Sequence, residues 1–384
     1  MRLRSYIVLE VLAGTTLLAG LALGGLVFTG VVDLGIGGEA QAALPAETRA
    51  NALGESSQRI TSDIAMHAVE SKLVPDASVA EVVVADAGQE ISLGGSFGGV
   101  PDEELLAPLR DSPIASVRFN KGGSSISLRI DFENGARAAF KPRQTNWQSV
   151  PRREVIAFRI NRLLGLSAVP PATGRKFEMR TLLAAIDTSS TGFRPRLKAE
   201  IVQKGGWVTG EISWWIPVIR RAKIDGFDID SMEGIVSWKR YLRVNGRMPK
   251  GTEKLLAQIS NMVLFDYVIN NPDRWSGGNA RVSDDRSILY FMDNTMSFGK
   301  SRLGHRKVRI YLQRSQVFSR QLVEKLRSLE EERVREVLAV DVEPFQDFLS
   351  DEEITALLAR RDAALVYIDG LIAKYGEERV LAFP

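Results

Sequence analysis

The chain contains no cysteine and only two histidines, His67 and His305, among its 384 residues. Without cysteine there is no disulfide, no thiolate metal site and no cysteine nucleophile. With two histidines, clusters of histidine metal ligands and Ser-His-Asp triads are nearly excluded. The formal net charge of +3 is too small to indicate nucleic acid as a partner. Any chemistry must therefore use Asp, Glu, Lys, Arg and Asn side chains.

Charged residues are also missing from one long stretch near the N-terminus. The run from Val11 to Val32 is apolar apart from Thr and Gly, and it is long enough to span a bilayer. Arg2 and Arg4 precede it, so the positive-inside rule predicts a single-pass membrane anchor within residues 1–33, with a cytoplasmic N-terminus and the remainder exported to a periplasm or a lumen. A cleaved signal peptide ending at Ala42 is the alternative. We favour the uncleaved anchor.

The next segment, residues 34–105, is rich in Ala, Gly, Ser and acidic side chains. This composition predicts a flexible stalk. The glycine-rich run at residues 94–99 could instead be a phosphate loop, but no Lys-Ser/Thr pair follows it, which favours a linker. Ordered structure is expected from near Ile114, within a domain that we assign to residues 106–384.

Strands come first and helices later in this domain. The strand predictions cover residues 115–120, 125–132 and 136–141, followed by a β-rich segment at 196–216. The helix predictions cover residues 152–164 and 251–270, and helices dominate again from 315 onward. The order indicates an α+β fold with a β-rich N-lobe and a helical C-lobe.

Five side chains with chemical potential fall at the ends of these elements. Lys141 ends the third strand, and Glu154 lies in the first turn of the next helix. Asp273 follows an apolar run, Asn279 comes a few residues later, and Asp293 follows a short strand. This order suits phosphoryl transfer from ATP, because one carboxylate orients the attacking hydroxyl, an Asn and an Asp hold Mg²⁺ or Mn²⁺, and the lysine neutralises the phosphates.

Each of these residues also has an ordinary explanation. Lys141 could be a solvated charge, and the helix dipole accounts for Glu154 without any function. Asp273 and Asp293 could simply lie in turns. Their joint occurrence in this order favours a nucleotide cleft over these separate explanations. Lys141 and Glu154 would form one side of the cleft, and the three later residues would form the other.

Two further features carry weaker signals. Gly122 and Gly123 would let the first hairpin approach a phosphate closely, although such a pair is usually just a turn. The basic stretch between Lys300 and Arg309 could contact an acidic substrate or a phosphate, but we favour a solvated loop.

Three blocks of the chain resemble the secretory-pathway kinases of the Four-jointed and Golgi casein kinase group. The resemblance covers about residues 112–340. The blocks are the lysine strand (127–135 and 139–144), the glutamate helix with the strand after it (153–165 and 169–171), and the Asp-Arg and Asp-Asn segments (265–274 and 289–299). The chain departs from the animal members of this group in lacking every cysteine.

The resemblance implies a protein-kinase-like domain that uses ATP with Mg²⁺ or Mn²⁺. It makes Lys141 the phosphate ligand and Glu154 its partner. It makes Asp273 the catalytic carboxylate, and Asn279 and Asp293 the metal ligands.

We therefore predict a membrane-anchored kinase that transfers the γ-phosphoryl group of ATP to a hydroxyl of a protein or glycan substrate. A protein Ser/Thr hydroxyl is the preferred acceptor, with a sugar or a lipid headgroup as alternatives. Two rivals from other classes stay open, a non-catalytic kinase-fold binding module and a structural membrane-tethered protein. In a bacterial host an exported domain would find little ATP, so the side of the membrane also stays open.

Overall fold

The computed structural model of the chain describes residues 94–120, 123–276 and 278–384. Within these ranges no helix combines the length and the apolar character needed to cross a membrane. The predicted membrane anchor and most of the predicted stalk lie outside the described residues.

The first described elements lie closer to the N-terminus than the sequence indicated. They are strand β1 (Ser96–Phe97), strand β2 (Val100–Pro101) and helix α1 (Asp102–Arg110). Gly98 and Gly99, at φ 61° and 85°, supply the positive φ values that the tight turn between β1 and β2 needs. Our expectation that order begins near Ile114 is therefore wrong, and residues 94–105 are part of the folded domain.

Helix α1 is attached to the domain by a buried ion pair. The Arg162 guanidinium donates to the Asp102 carboxylate, with Nε–Oδ2 at 2.6 Å and Nη2–Oδ1 at 3.0 Å. Both residues are buried, and Leu105, Leu106 and Leu109 of α1 are buried as well. The helix thus packs as an integral element, because its apolar side and its one buried carboxylate both have partners.

A six-stranded sheet occupies the β-rich half. Its strands are β3 (Ile114–Phe119), β4 (Leu128–Phe132), β5 (Arg137–Pro142), β6 (Ala172–Glu178), β7 (Gln203–Lys204) and β8 (Trp207–Trp214). The strand order is β3-β4-β5-β8-β6, with β7 paired to β8, and neighbouring strands are antiparallel. The three strands predicted first are present, although β4 begins at Leu128 and not at residue 125.

Along the chain, the helices of this half alternate with its strands. They are α2 (Arg152–Leu163), α3 (Met179–Ala184), a 3₁₀ helix (Thr188–Phe193) and α4 (Arg194–Glu200). The segment predicted as β-rich from residue 196 is thus helical in its first turn, and the strand β8 begins only at Trp207. Pro195 in the first turn of α4 favours the helix, since its fixed φ suits that position.

The second half is mostly helical. Its helices are α5 (Met232–Tyr241), α6 (Glu253–Ile269), α7 (Arg306–Leu312), α8 (Arg320–Arg327), α9 (Glu331–Ala339), α10 (Asp351–Tyr375) and α11 (Glu377–Val380). Its short strands are β9 (Ile219–Arg221), β10 (Lys223–Ile224), β11 (Phe227–Asp228), β12 (Ala280–Ser283) and β13 (Leu289–Phe291). Strands β13, β12 and β9 form one small sheet.

Each half has its own large apolar core. The larger core contains helix α2 and most of the helical half, with α6 in its centre, and the smaller core lies on the six-stranded sheet. Helix α2 follows β5 in sequence but belongs to the larger core. This placement brings Lys141, at the end of strand β5, next to Asp293 in the segment that follows β13.

Replacing Asp102 by Ala should destabilise the folded domain strongly. It would leave the buried Arg162 guanidinium without its counter-ion, a loss that typically costs about 3–5 kcal/mol. The control is Glu103→Ala, which removes an exposed partner of Arg110 and should cost about 1 kcal/mol or less. Urea unfolding of both variants gives the measurement. Equal small effects would show that residues 94–110 are not part of the cooperative fold.

Candidate active site

One lysine lies at the meeting point of the two halves. The Lys141 ammonium at the end of β5 is 2.7 Å from Glu154 Oε1 in α2 and 2.9 Å from Asp293 Oδ1 after β13. Burial disfavours its charged form, but the carboxylates of Asp293 and Glu154 outweigh burial and raise the pKa of Lys141 above its ordinary value. The ammonium therefore stays charged at neutral pH.

Glu154 also reaches the second half directly. Its Oε1 accepts from the Asn294 backbone N–H at 2.9 Å, and its Oε2 accepts from Asn294 Nδ2 at 3.0 Å. Both carboxylate oxygens are thus used, and the side chain is buried. The helix dipole alone does not explain this residue, because its contacts fix α2 against the segment that carries Asp293.

Asp293 has the backbone conformation expected of a constrained site. Its φ is 57°, in the left-handed region that Asp tolerates better than most residues. Burial opposes its ionisation, but Lys141, and the hydroxyl of Thr295 at 2.9 Å, lower its pKa. Its side chain is 34% exposed, against 15% for that of Lys141. Asp293 is thus an ionised carboxylate with room for a further ligand.

Asp273 lies in the loop that follows α6. Asn270 caps the C-terminus of helix α6 and has a φ of 59°. The amide of Asp273 donates to Asn271 Oδ1 at 3.1 Å. The Asp273 carboxylate accepts from Ser276 Oγ at 2.5 Å and from Asn279 Nδ2 at 3.2 Å. The structure therefore brings Asn279 to Asp273, as the sequence order suggested. Ser276 was not foreseen, and nothing in its sequence context distinguishes it from an ordinary turn residue.

Arg274, the residue after Asp273, is completely buried. Its guanidinium pairs with Asp266 of α6, with Nη2–Oδ1 at 3.1 Å, and it also donates to Asn294 Oδ1 and to the Met292 carbonyl. Burial raises the pKa of Asp266 to about 6, although Arg274 counteracts this effect. Arg274 thus joins the Asp273 loop to the Asp293 segment from behind the site.

A third carboxylate faces Lys141, this one from the sheet, and the sequence analysis missed it. Glu211 of β8 lies directly opposite Lys141 in the antiparallel register, so both side chains project from the same face. Glu211 is buried, and its Oε2 has no hydrogen-bond partner. Burial and the neighbouring Glu154 raise the pKa of Glu211 to about 8. Only the strand register reveals this residue, and the sequence does not show that register.

The predicted phosphate-binding glycines are described only in part. Gly122 lies outside the described residues, and Gly123, at φ 78°, belongs to the connection between β3 and β4. Their role in phosphate binding stays a prediction. In the basic stretch, Lys300 pairs with Glu352 at 2.7 Å, and the His305 imidazole accepts from the Lys307 amide as a helix cap.

The oxygen donors here suit Mg²⁺ or Mn²⁺. Asp293 supplies a carboxylate, and Asn279 keeps its amide oxygen as an acceptor while its Nδ2 donates to Asp273. Across the described parts of the chain, no three Asp, Glu or His side chains are grouped as a complete metal site. The residues therefore fit a cation that takes its remaining ligands from nucleotide phosphates and water.

Comparison with curated proteins gives distant relatives, while no family model matches the chain. The human extracellular serine/threonine protein kinase FAM20C is 22% identical in an alignment of 239 residues, which covers 52% of this chain and 41% of that protein. The human glycosaminoglycan xylosylkinase is 22% identical in an alignment of 303 residues, which covers 67% of this chain and 72% of that protein. The chain thus spans less than half the length of the first relative and more than two thirds of the second.

Solved structures show the same architecture. A crystal structure of the Golgi casein kinase matches with a TM-score of 0.58 at 17% identity, covering 73% of this chain and 77% of that one. The same kinase with Mn/ADP bound gives a TM-score of 0.58 at 18% identity, covering 73% and 78%. Hydra Fam20 with sugar gives 0.55 at 15% identity, covering 72% and 90%. The predicted α+β kinase-like fold is therefore confirmed.

Replacing Glu211 by Gln should change how stability depends on pH. A folded-state pKa of about 8, above the ordinary 4.5, means that the folded chain holds a proton that the unfolded chain releases between these pH values. Wild-type stability should therefore fall relative to Glu211→Gln as pH rises through this window, with a slope of up to about 1.4 kcal/mol per pH unit.

Urea unfolding in EDTA at several pH values between about 5 and 8 measures this difference. Glu133→Gln, at an exposed turn, is the control for loss of a carboxylate. A difference between wild type and Glu211→Gln that does not change with pH would contradict the assignment.

Proposed function

We propose that the chain is an ATP-dependent kinase that transfers the γ-phosphoryl group to a hydroxyl acceptor with the help of Mg²⁺ or Mn²⁺. The observation that carries this proposal is the Lys141 ammonium, held between Glu154 and Asp293 at 2.7 and 2.9 Å. Kinases need this lysine–glutamate pair beside a metal-binding aspartate. The names of the relatives, both kinases, and the Mn/ADP-bound structure of the same fold support it.

Each site residue has a role in this reaction. Lys141 binds phosphate oxygens of the nucleotide, and Glu154 keeps its ammonium in place. Asp293 and Asn279 hold the cation, which neutralises phosphate charge when it is bound. Asp273 orients the acceptor hydroxyl and takes its proton as the new O–P bond forms and ADP leaves.

The loop geometry supports this division of labour. Ser276 and Asn279 both donate to the Asp273 carboxylate, so that carboxylate is oriented before any acceptor arrives. Arg274 does not bind phosphate in this scheme, because it is fully buried. Its N–H groups already donate to Asp266, Asn294 and backbone carbonyls. Catalysis would rest on positioning and electrostatics.

A protein Ser/Thr hydroxyl is the acceptor that we propose first, in line with the name of FAM20C. A sugar hydroxyl is the second candidate, because the xylosylkinase aligns over the larger share of this chain. The non-catalytic alternative has less support, because a binding module has no need to keep the full set of catalytic side chains. All of them are present here, and Lys141 forms ion pairs with both Glu154 and Asp293.

We also propose a location for the enzyme. Residues 1–33 would anchor it in a membrane, the segment up to residue 93 would serve as a tether, and the kinase domain would be exported to a periplasm or a lumen. The words "extracellular" and "golgi" in the names of similar proteins support export. The Four-jointed branch, suggested by the spacing of Asp273 and Asn279, is our finer placement among these kinases.

Replacing Asp273 by Asn should abolish phosphoryl transfer while leaving nucleotide binding intact. The amide keeps the shape of the side chain but cannot accept the proton of the acceptor, and general-base loss typically costs about 10²–10⁴ in rate. Incubation with γ-labelled ATP, Mn²⁺ and panels of protein and sugar acceptors measures transfer. A melting-temperature shift with Mn²⁺-ADP, equal to that of wild type, shows that binding persists.

Full activity of Asp273→Asn would remove this residue from the reaction. Absence of transfer by the wild type to every acceptor, together with a normal Mn²⁺-ADP shift, would favour the binding-module alternative.

Protease protection of the full chain in intact membranes tests the location. We expect the kinase domain to resist a protease added from the cytoplasmic side and to be digested after the membrane is permeabilised, because the arginines before the apolar run hold the N-terminus in the cytoplasm. Immediate digestion from the cytoplasmic side would reverse the proposed orientation. Recovery of the whole domain in a soluble fraction would favour the cleaved signal peptide.

A further inference from the structure

One buried cation of helix α10 has no role in the site described above. Arg360 of α10 is 0% exposed, and no carboxylate in the described parts of the chain pairs with it. Burial lowers its pKa to about 10, so the guanidinium remains charged at neutral pH. A charge in this environment is costly unless hydrogen bonds compensate it.

Backbone carbonyls supply most of that compensation, while Nη2 has no hydrogen-bond partner within the described part of the chain. Arg360 Nε donates to the Val268 carbonyl at 2.8 Å, and Nη1 donates to the carbonyls of Gly299 and Ser301 at 3.0 and 2.6 Å. Val268 belongs to the last turn of α6, which leads into the Asp273 loop. Gly299 and Ser301 belong to the segment that follows Asp293. One side chain therefore holds both loops of the active site together.

The sequence explains why the Val268 carbonyl needs this donor. In a continuing helix it would accept from the amide of residue 272, but that residue is Pro272, which has no N–H. The carbonyl is therefore left without its helical partner where α6 ends. The partial negative charge of a helix C-terminus also favours a cation there. Arg360 Nε thus satisfies a group that Pro272 leaves unpaired.

The contacts of Arg360 belong to a continuous seam between the two loops. The Phe298 amide donates to the Ile269 carbonyl at 2.6 Å, and the His305 amide donates to Asn270 Oδ1 at 2.6 Å. Arg360 adds three bonds between these two points. Gly304 fits tightly here, because an added Cβ would lie 3.2 Å from Arg360 Cδ.

Helix α10 also contacts the helix that carries Glu154. Glu353, two turns before Arg360 on the same face of α10, lies 3.6 Å from Arg153 and 3.7 Å from Arg152 of α2. This helix therefore contacts α2, the end of α6 and the segment that follows Asp293, three of the segments that carry site residues or lead into them.

We propose that Arg360 is a positioning residue for phosphoryl transfer, which holds the loop of Asp273 in register with the segment of Asp293. The inference rests on the proposed function for its kinetic part. Lysine cannot replace it, because a single ammonium does not reproduce the planar set of donors that serves three carbonyls. Small displacements of reacting groups cost large factors in rate.

The test compares Arg360→Lys with Arg361→Lys. Arg361 is the next residue of α10 and also donates to a backbone carbonyl, that of Leu329, which is not part of the seam. We expect kcat of Arg360→Lys to fall about tenfold to a hundredfold, with KM for ATP changed less than about twofold. The amides of residues 269–271, 273 and 298–305 should exchange hydrogen faster. Arg361→Lys should show neither change.

Unchanged kcat in folded Arg360→Lys, even with a lower melting temperature, would overturn the inference and leave Arg360 with a role in stability alone. If Arg360→Lys does not fold, Gly304→Ala takes its place, since its Cβ would press on Arg360 from the loop side. Unchanged kcat there would likewise overturn it.

A wild type that transfers phosphate to no acceptor would count against the proposed function. Hydrogen exchange then decides the inference by itself, because it requires no activity. Faster exchange at both loops in Arg360→Lys would support it, and unchanged exchange would overturn it.

Discussion

The structure depends on one ammonium group that has to satisfy carboxylates from both halves of the domain. Lys141 arrives on a strand of the sheet, Glu154 on a helix of the larger core, and Asp293 on a loop of the helical half. Because Lys141 is largely buried, losing its ammonium would leave the carboxylates of Glu154 and Asp293 without their common counter-ion. The relative placement of the two halves is thus linked to the chemistry of the site.

Behind this group, buried polar contacts fix the loops. Glu154 accepts hydrogen bonds from Asn294, and the Asn294 side-chain oxygen accepts one from Arg274. Arg274 in turn pairs with Asp266 in the core of the helical half. These bonds are made between groups excluded from water, where hydrogen bonds are strong and unpaired partners are costly. The rigidity of this network explains how short loops can hold Asp273 and Asp293 in defined positions without any disulfide.

Much of this arrangement could be predicted from the sequence, because it follows the chain locally. Asn134-Gly135 is a hairpin signal between two strand-like runs, so β4 and β5, and with them the place of Lys141 at a strand end, are local features. Pro151 before the helix of Glu154 and Gly165 after it are local start and stop signals. The order of Asp273, Asn279 and Asp293 then suggested their common site, and the structure does bring Asn279 to Asp273.

What could not be predicted depends on contacts between distant segments. Glu211 faces Lys141 only because β8 inserts between β5 and β6 in the sheet, and this strand order cannot be read from local pattern. The first residues of helix α1 were predicted as stalk. Asp102 of this helix is paired with Arg162, sixty residues away in the chain, and a local pattern cannot show such a contact. In the sequence Arg360 is one of many helix charges, and only the fold places it against Val268.

The most direct test of the central claim is a crystal structure with Mn²⁺ and ADP in which anomalous scattering locates the manganese. The account predicts manganese at the Asp293 carboxylate, with Lys141 Nζ bound to a phosphate oxygen while it keeps its contact with Glu154. Manganese and ADP bound away from Lys141, or an Asp293 that remains paired only with Lys141 while the metal lies elsewhere, would contradict it.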